Sequence, residues 1–218
     1  IRTDKASLPI QLTGDNTKKR PDSLLYESFI ADGAQQVRIV GYDAFTAGDT
    51  IAVPETINGM PVTEIGDGAF SAPLIMPNRA VKEVLLPETI RKIGDFAFAQ
   101  KVGIPPVKVD MTTIPNVEEI GDNAFTNNKL TTLSLPASVT AIGSSAFSGN
   151  ALTAAHLSSD IEYGTSVFAQ NAITDVTFDD SIKAIPAGMF EGNELTSVKL
   201  PSTLTHIGAQ SFSQNALQ

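Results

Sequence analysis

His156 and His206 are the only histidines in a 218-residue chain without cysteine, so they are the first places to look for a metal ligand or a general base. A zinc site or an activated nucleophile needs several such groups converging on one point. These two lie more than two repeats apart, on opposite walls of the pattern described below, and both read as surface histidines. Asp179-Asp180 lacks the alternating carboxylates and the glycine of a calcium loop. No Gly-x-Ser-x-Gly elbow and no HExxH helix occurs. Gly66-Asp67-Gly68-Ala69-Phe70-Ser71 looks like a dinucleotide loop without its third glycine. Leu86-Pro87-Glu88-Thr89-Ile90 resembles a sortase sorting signal, but the terminal glycine is missing, and Val53-Pro54-Glu55-Thr56-Ile57 and Leu200-Pro201-Ser202-Thr203-Leu204 show the same phrase as a strand ending. No catalytic residue, metal site or cofactor is expected, which leaves binding or mechanical support.

What positions the surface is a recurring phrase: Ile65-Gly66-Asp67-Gly68-Ala69-Phe70, Ile93-Gly94-Asp95-Phe96-Ala97-Phe98, Ile120-Gly121-Asp122-Asn123-Ala124-Phe125 and Ile142-Gly143-Ser144-Ser145-Ala146-Phe147. Blurred copies end at Phe168, Phe190 and Phe212, and successive phenylalanines lie 28, 27, 22, 21, 22 and 22 residues apart. A period near 22 means a solenoid, in which each turn buries its apolar face against its neighbours. The expectation is a mainly β, right-handed solenoid of about seven turns, with short helical or 3-10 turns and an N-terminal β-hairpin cap.

Within one turn, Leu130-Thr131-Thr132-Leu133-Ser134-Leu135-Pro136 reads as a strand with Leu133 and Leu135 inward and Thr132 and Ser134 outward. Pro136 ends it, because proline cannot donate to a ladder. Val139 and Ile142 mark a second apolar segment on the opposite wall, and Gly143 is read as permitting a bend. Ser144-Ser145-Ala146-Phe147 is expected to form one helical or 3-10 turn whose phenylalanine plugs the core. Phe70, Phe98, Phe125, Phe147, Phe168, Phe190 and Phe212 should then form one buried column. Val84/Leu86, Val107/Val109, Leu133/Leu135, Ala155/Leu157, Val176/Phe178 and Val198/Leu200 form inward ladders. Asn128, Asn150, Asn171, Asn193 and Asn215 make a further column. An asparagine at a fixed turn position reads as structural, its amide satisfying backbone groups of adjacent turns; the competing reading is a ligand site.

Leu24 to Ile30 and Val37 to Tyr42 suggest a hairpin closing the first turn. The organisation read from these signals is a linker or flexible arm at 1–22, a cap hairpin and lead-in at 23–54, and the solenoid at 55–218. The solenoid looks incomplete, because Asn215-Ala216-Leu217-Gln218 begins another repeat. A net charge of −9 and a pI near 4.6 argue against nucleic acid or an anionic membrane as partner. No apolar run is long enough to insert into a membrane.

The phrase L-T-x-L-x-L-P-x-x-V-T-x-I-G-x-x-A-F is the signature of the bacterial leucine-rich repeats called BspA-like, and Leu130 through Phe147 carries every defined position of it. The chain resembles that family over residues 37–217. Two departures stand out: repeat five is one residue short around Ile161-Glu162-Tyr163, and Pro186 replaces the usual glycine. The resemblance implies an exported, surface-displayed bacterial protein, and some members of the family act as adhesins for host or bacterial partners.

Two functions are then in view. One is recognition of a protein or glycan at a host or bacterial surface by the outward strand columns. The first column is Glu83, Pro106, Thr132, Ala154, Asp175 and Ser197; the second is Leu85, Lys108, Ser134, His156, Thr177 and Lys199. Such a face spans roughly 25 Å by about 16 Å, about half of the ~800 Å² that each partner buries in a standard interface. The insertion Ser71 to Ala80 offers more surface: Leu74, Ile75 and Met76 either fold back over the first turns or the N-terminal hairpin or, with Arg79, Lys82 and Glu83, enlarge the face. The other function is a structural stalk displaying another domain away from the cell wall, which the bland Thr, Ser and Ala columns would suit.

Overall fold

The computed structural model of the chain describes residues 23–43, 47–71, 81–101 and 105–218. The arm at 1–22 and the insertion residues Leu74, Ile75, Met76 and Arg79 lie outside the described residues. Strands β1 (Leu24–Ala31) and β2 (Ala34–Tyr42) pair antiparallel. Asp32 and Gly33 between them have φ of 51° and 74°, as the two central positions of a type I′ turn require. A second tight turn at Asn58 and Gly59 joins β4 (Thr56–Ile57) to β5 (Met60–Ile65).

From β2 onward the sheet becomes parallel. β5, β7 (Lys92–Ile93), β9 (Glu119–Ile120), β10 (Ala141–Ile142) and β12 (Glu162–Tyr163) follow one another, with Ile65, Ile93, Ile120, Ile142 and Tyr163 in register. β14 (Ala184–Ile185) and β15 (His206–Ile207) form a separate pair. The opposite wall holds β3 (Thr50–Ala52), β6 (Glu83–Leu85) and β8 (Lys108–Val109), and then, after a gap, β11 (Ala154–Leu157) and β13 (Asp175–Phe178). A parallel ladder between successive turns is what a short repeat dictates, since each turn's strand finds its partner one period along the chain.

Between the walls the aromatic rings stack. Tyr42, Phe70, Phe98, Phe125, Phe147, Phe168, Phe190 and Phe212 follow one another with centroids 5.1 to 6.0 Å apart and interplanar angles of 5° to 19°. The phenylalanines from Phe70 to Phe190 are fully buried. Phe212, in the last described turn, is half-buried, and Leu200 of the same turn, expected to point inward, is 41% exposed.

Several local expectations are corrected. The Ala-Phe phrase is not helical: Ala146 N–H donates to Gly143 O and Ser148 N–H to Ser145 O, which makes two overlapping β-turns with Ser145 at φ 56°. A positive φ recurs at Gly68, Phe96, Asn123, Ser166, Gly188 and Gln210, and a left-handed residue stops a right-handed helix from propagating. Met111–Thr113 is a 3-10 turn, capped by Asp110, and no longer helix occurs among the described residues. Gly143 serves close approach rather than a bend. A Cβ there would stand 2.5 Å from Asp122 N and 2.6 Å from Gly121 C, and the glycines at 94, 121, 164 and 208 are equally hemmed in by the preceding turn. Leu130–Pro136, expected as a strand, carries no ladder bonds to its neighbours, nor does the stretch around Val198 and Leu200. In the former, Leu133 and Leu135 are only half-buried.

Candidate interaction surface

The outward residues of the β3–β6–β8 wall form one polar patch. Glu83 stands opposite Lys108 in the register, with Nζ and Oε1 2.7 Å apart, and Thr50 Oγ1 reaches the other oxygen of Glu83 at 3.4 Å. The Glu83 hydrogen bond raises the pKa of Lys108 above its ordinary value. Lys82 pairs with Asp49 at 2.6 Å, and Leu85 is exposed beside them. Both ion pairs are surface pairs worth little on their own.

His156 and Thr177 come together on β11 and β13. They face each other in register, His156 Nδ1 lies 2.9 Å from Thr177 Oγ1, and His156 Nε2 lies 3.1 Å from Asp179 Oδ1. Asp179 Oδ2 also accepts from Ser159 N–H at 2.9 Å and from the Ser158 hydroxyl at 3.1 Å. The Ser159 N–H, followed by the Ser158 hydroxyl, favours the charged carboxylate and holds Asp179 below the usual aspartate range. Ser134 sits on the unpaired Leu130–Pro136 segment and Lys199 in a later turn. Both are exposed, and no hydrogen bond or ion pair ties either to the other predicted residues.

Where the wall is interrupted a cleft opens. It has a volume of about 500 Å³, with Leu133, Leu135 and Val139 on one side, Ala155 and Ile161 on the other, and Phe168 of the aromatic stack at its floor. Two local facts account for it. The Leu130–Pro136 segment makes no ladder bonds to β11 and is tied to the next turn only at its first residue, where Leu130 O accepts from Ala151 N–H at 2.8 Å and Leu130 N–H donates to Asn150 Oδ1. Ala155 is also the smallest inward residue of its column, where other turns place Val84, Val107, Leu133, Val176 and Val198. The rim carries Asp160, Asp175, Thr177, Asp179 and His156, and no lysine or arginine. A cleft of ~300 to 1,000 Å³ with an apolar floor and a few polar groups is the usual form of a binding site. Sequence reasoning missed Ala155 and Asp160 as members of a site; the available signal was the single alanine in an otherwise bulky inward column.

The asparagine column runs along the array. Asn150, Asn171, Asn193 and Asn215 accept the backbone N–H of Leu130, Leu152, Ile173 and Leu195 at 2.9 to 3.1 Å and donate to phenylalanine carbonyls of their own and the preceding turn. Asn128 differs, clamping both N–H and C=O of Val107 at 2.7 and 2.8 Å. On the opposite wall the outward residues alternate in charge: Glu27, Arg38 and Glu64 are joined, as are Lys92 and Glu119 at 2.7 Å. Among the described residues no cluster of three or more His, Cys, Asp or Glu is placed to hold a metal ion.

A two-walled parallel β-solenoid with an internal phenylalanine stack and an asparagine column is the architecture of a leucine-rich repeat. The model of the family described as BspA type leucine rich repeat region matches in six copies, over residues 39–112, 63–163 and 106–218, one copy fewer than the seven phenylalanine-ended phrases. The chain belongs to this family. No curated protein matches it. Among solved structures it is similar to a leucine-rich repeat protein of T. pallidum (22% identity, TM-score 0.64, covering 88% of this chain and 82% of that one). It is also similar to a leucine rich cell surface protein of Faecalibacterium prausnitzii (26%, 0.66, 88% and 53%) and to a leucine-rich repeat protein of Bacteroides ovatus (21%, 0.69, 92% and 58%). The chain thus spans little more than half the length of the latter two. No helix among the described residues is long and apolar enough to cross a membrane.

Proposed function

We propose that the chain is a non-catalytic recognition module, displayed outside a bacterial cell, that binds a protein or glycan on a host or bacterial surface. The carrying observation is the cleft at the centre of the strand wall, bordered by the hydrogen-bonded His156, Thr177 and Asp179. The description of one relative as a cell surface protein supports the location. Leu74 to Met76 and Arg79 remain proposed contributors beside Lys82 and Glu83.

The test is attachment of the purified chain to bacterial and host-cell surfaces, comparing His156→Ala and Lys108→Ala on this wall with Lys92→Ala on the opposite wall. Recognition by this wall predicts weakened attachment for the first two alone. Equal attachment by all three variants, or none by the intact chain, removes the reading. The unbroken ring stack from Tyr42 to Phe212 favours a second reading, a stiff stalk; that role predicts indifference to all three substitutions.

A further inference from the structure

The cleft has a charge pattern as well as a shape. Asp175 opens β13 and Asp179 follows it four residues later; along an extended strand that is about 13 Å, with Thr177 between them on the same outward face. Asp160 lies on the rim near Asp179, and among the described residues neither Asp160 nor Asp175 has a cationic partner. Beside the row of Asp175, Thr177 and Asp179 the cleft is lined by Leu133, Leu135, Val139, Ala155 and Ile161, and the whole chain carries a net charge of −9. A ligand that fits must be apolar at its centre and cationic at both ends, with the cations about 13 Å apart. In an extended polypeptide, side chains at i, i+2 and i+4 share one face and span the same distance.

We propose that the cleft over Phe168 binds an extended polypeptide segment that carries a leucine-sized residue flanked by lysine or arginine two positions away on each side. The central side chain occupies the volume left open by Ala155, and the flanking cations meet Asp175 at one end and Asp160 with Asp179 at the other. This names the partner class for the strand wall and rests on the recognition reading.

The experiment titrates the intact chain with a blocked peptide, Thr-Arg-Thr-Leu-Thr-Arg-Thr. The controls are the same peptide with glutamate for arginine, one with both arginines adjacent, and arginine amide alone. The basic peptide should bind, and more weakly at 1 M salt, where the screening length falls to about 3 Å. Asp160→Asn and Asp175→Asn should each weaken binding and flatten its salt dependence. Ala155→Leu fills the cleft and should lower affinity by about tenfold or more, as loss of a central buried anchor does. If Ala155→Leu lowers the melting midpoint, Thr177→Lys, exposed on the rim, supplies an electrostatic block without touching the core. Equal binding of the glutamate peptide, the adjacent-arginine peptide or arginine amide overturns the proposal, as does binding undiminished in Ala155→Leu and Thr177→Lys. Peptide binding by a chain that attaches to no cell surface supports the cleft while the surface role falls. Surface attachment unchanged in a variant that no longer binds the peptide leaves the surface role standing and removes the cleft from it.

Discussion

Asn150 sits one turn beyond Leu130 and holds its backbone: the side-chain oxygen accepts the Leu130 N–H at 3.0 Å, while the amide nitrogen donates to Phe125 O and Phe147 O, each at 2.9 Å. One amide thus satisfies groups in two turns that have no other backbone partner in the ladders. Asn150→Ala strands the Leu130 N–H and Phe125 O, while Phe147 O keeps the Asn171 amide at 3.0 Å, and should cost about 1 to 3 kcal/mol in denaturant unfolding. Asn150→Asp should cost more, because a carboxylate oxygen would then face two carbonyls. An unchanged unfolding midpoint in both variants would refute a structural role for the column.

Phe147 lies between Phe125 and Phe168 at 5.5 and 6.0 Å, fully buried. Truncation to alanine leaves a cavity in a stack whose neighbours are held by their own turns, and should cost roughly 3 to 5 kcal/mol. Phe212→Ala, at a half-buried end, should cost clearly less. Thermal melting of the two variants side by side checks the order.

Gly143→Ala places a methyl 2.5 Å from Asp122 N and 2.6 Å from Gly121 C, both backbone atoms of the preceding turn that cannot swing aside. The expected loss is on the order of 1 to 3 kcal/mol or more, as for overpacked cores. At Gly33, with φ 74°, a Cβ meets nothing within 4 Å. The loss there should be limited to left-handed strain, roughly 1 kcal/mol. Equal effects at the two sites would contradict the close-approach argument.

The pH dependence should carry a signature of Asp179. Its folded pKa lies below the ordinary value, chiefly through the Ser159 N–H and the Ser158 hydroxyl. The folded state therefore binds the proton less readily than the unfolded chain. The stabilisation is present above the unfolded value of about 3.9 and disappears as pH falls through the lower folded value. Melting curves between pH 5 and pH 2 should fall less steeply for Asp179→Asn than for the parent chain, and identical slopes would exclude the effect.

The parts of the fold legible in the sequence are those that every turn repeats. The phenylalanine that ends each phrase and the Ile-Gly pair before it recur because each turn meets the same neighbour, so the core and the parallel register follow from the period. The left-handed residue inside the phrase is harder to see. Gly68 and Gly188 signal it, but Phe96, Asn123, Ser145, Ser166 and Gln210 fill the same position without a common side chain. The cleft is harder still, because it depends on something missing, the methyl groups absent at Ala155 and the ladder absent beside Leu133. The paired charges of Arg38, Glu64, Lys92 and Glu119 span the cap and three turns, and Arg38 lies outside the repeating phrase altogether.

The hydrogen bonds that join one turn to the next point along the long axis of the array. A tensile load applied between its ends therefore meets them in series, one row after another, as in opening a zipper. Where both walls are laddered, two rows share the load. At Leu130–Pro136 the ladder of one wall is missing, and the load passes to the wall through Ala141 and Ile142, to the backbone bonds between successive Ala-Phe phrases such as Phe147 N–H to Val167 O, to the Ala151 N–H on Leu130 O, and to Asn150. The strand wall contributes fewer bonds beside the central cleft than at the laddered joints, so force on the array and occupancy of that cleft would act on the same joint.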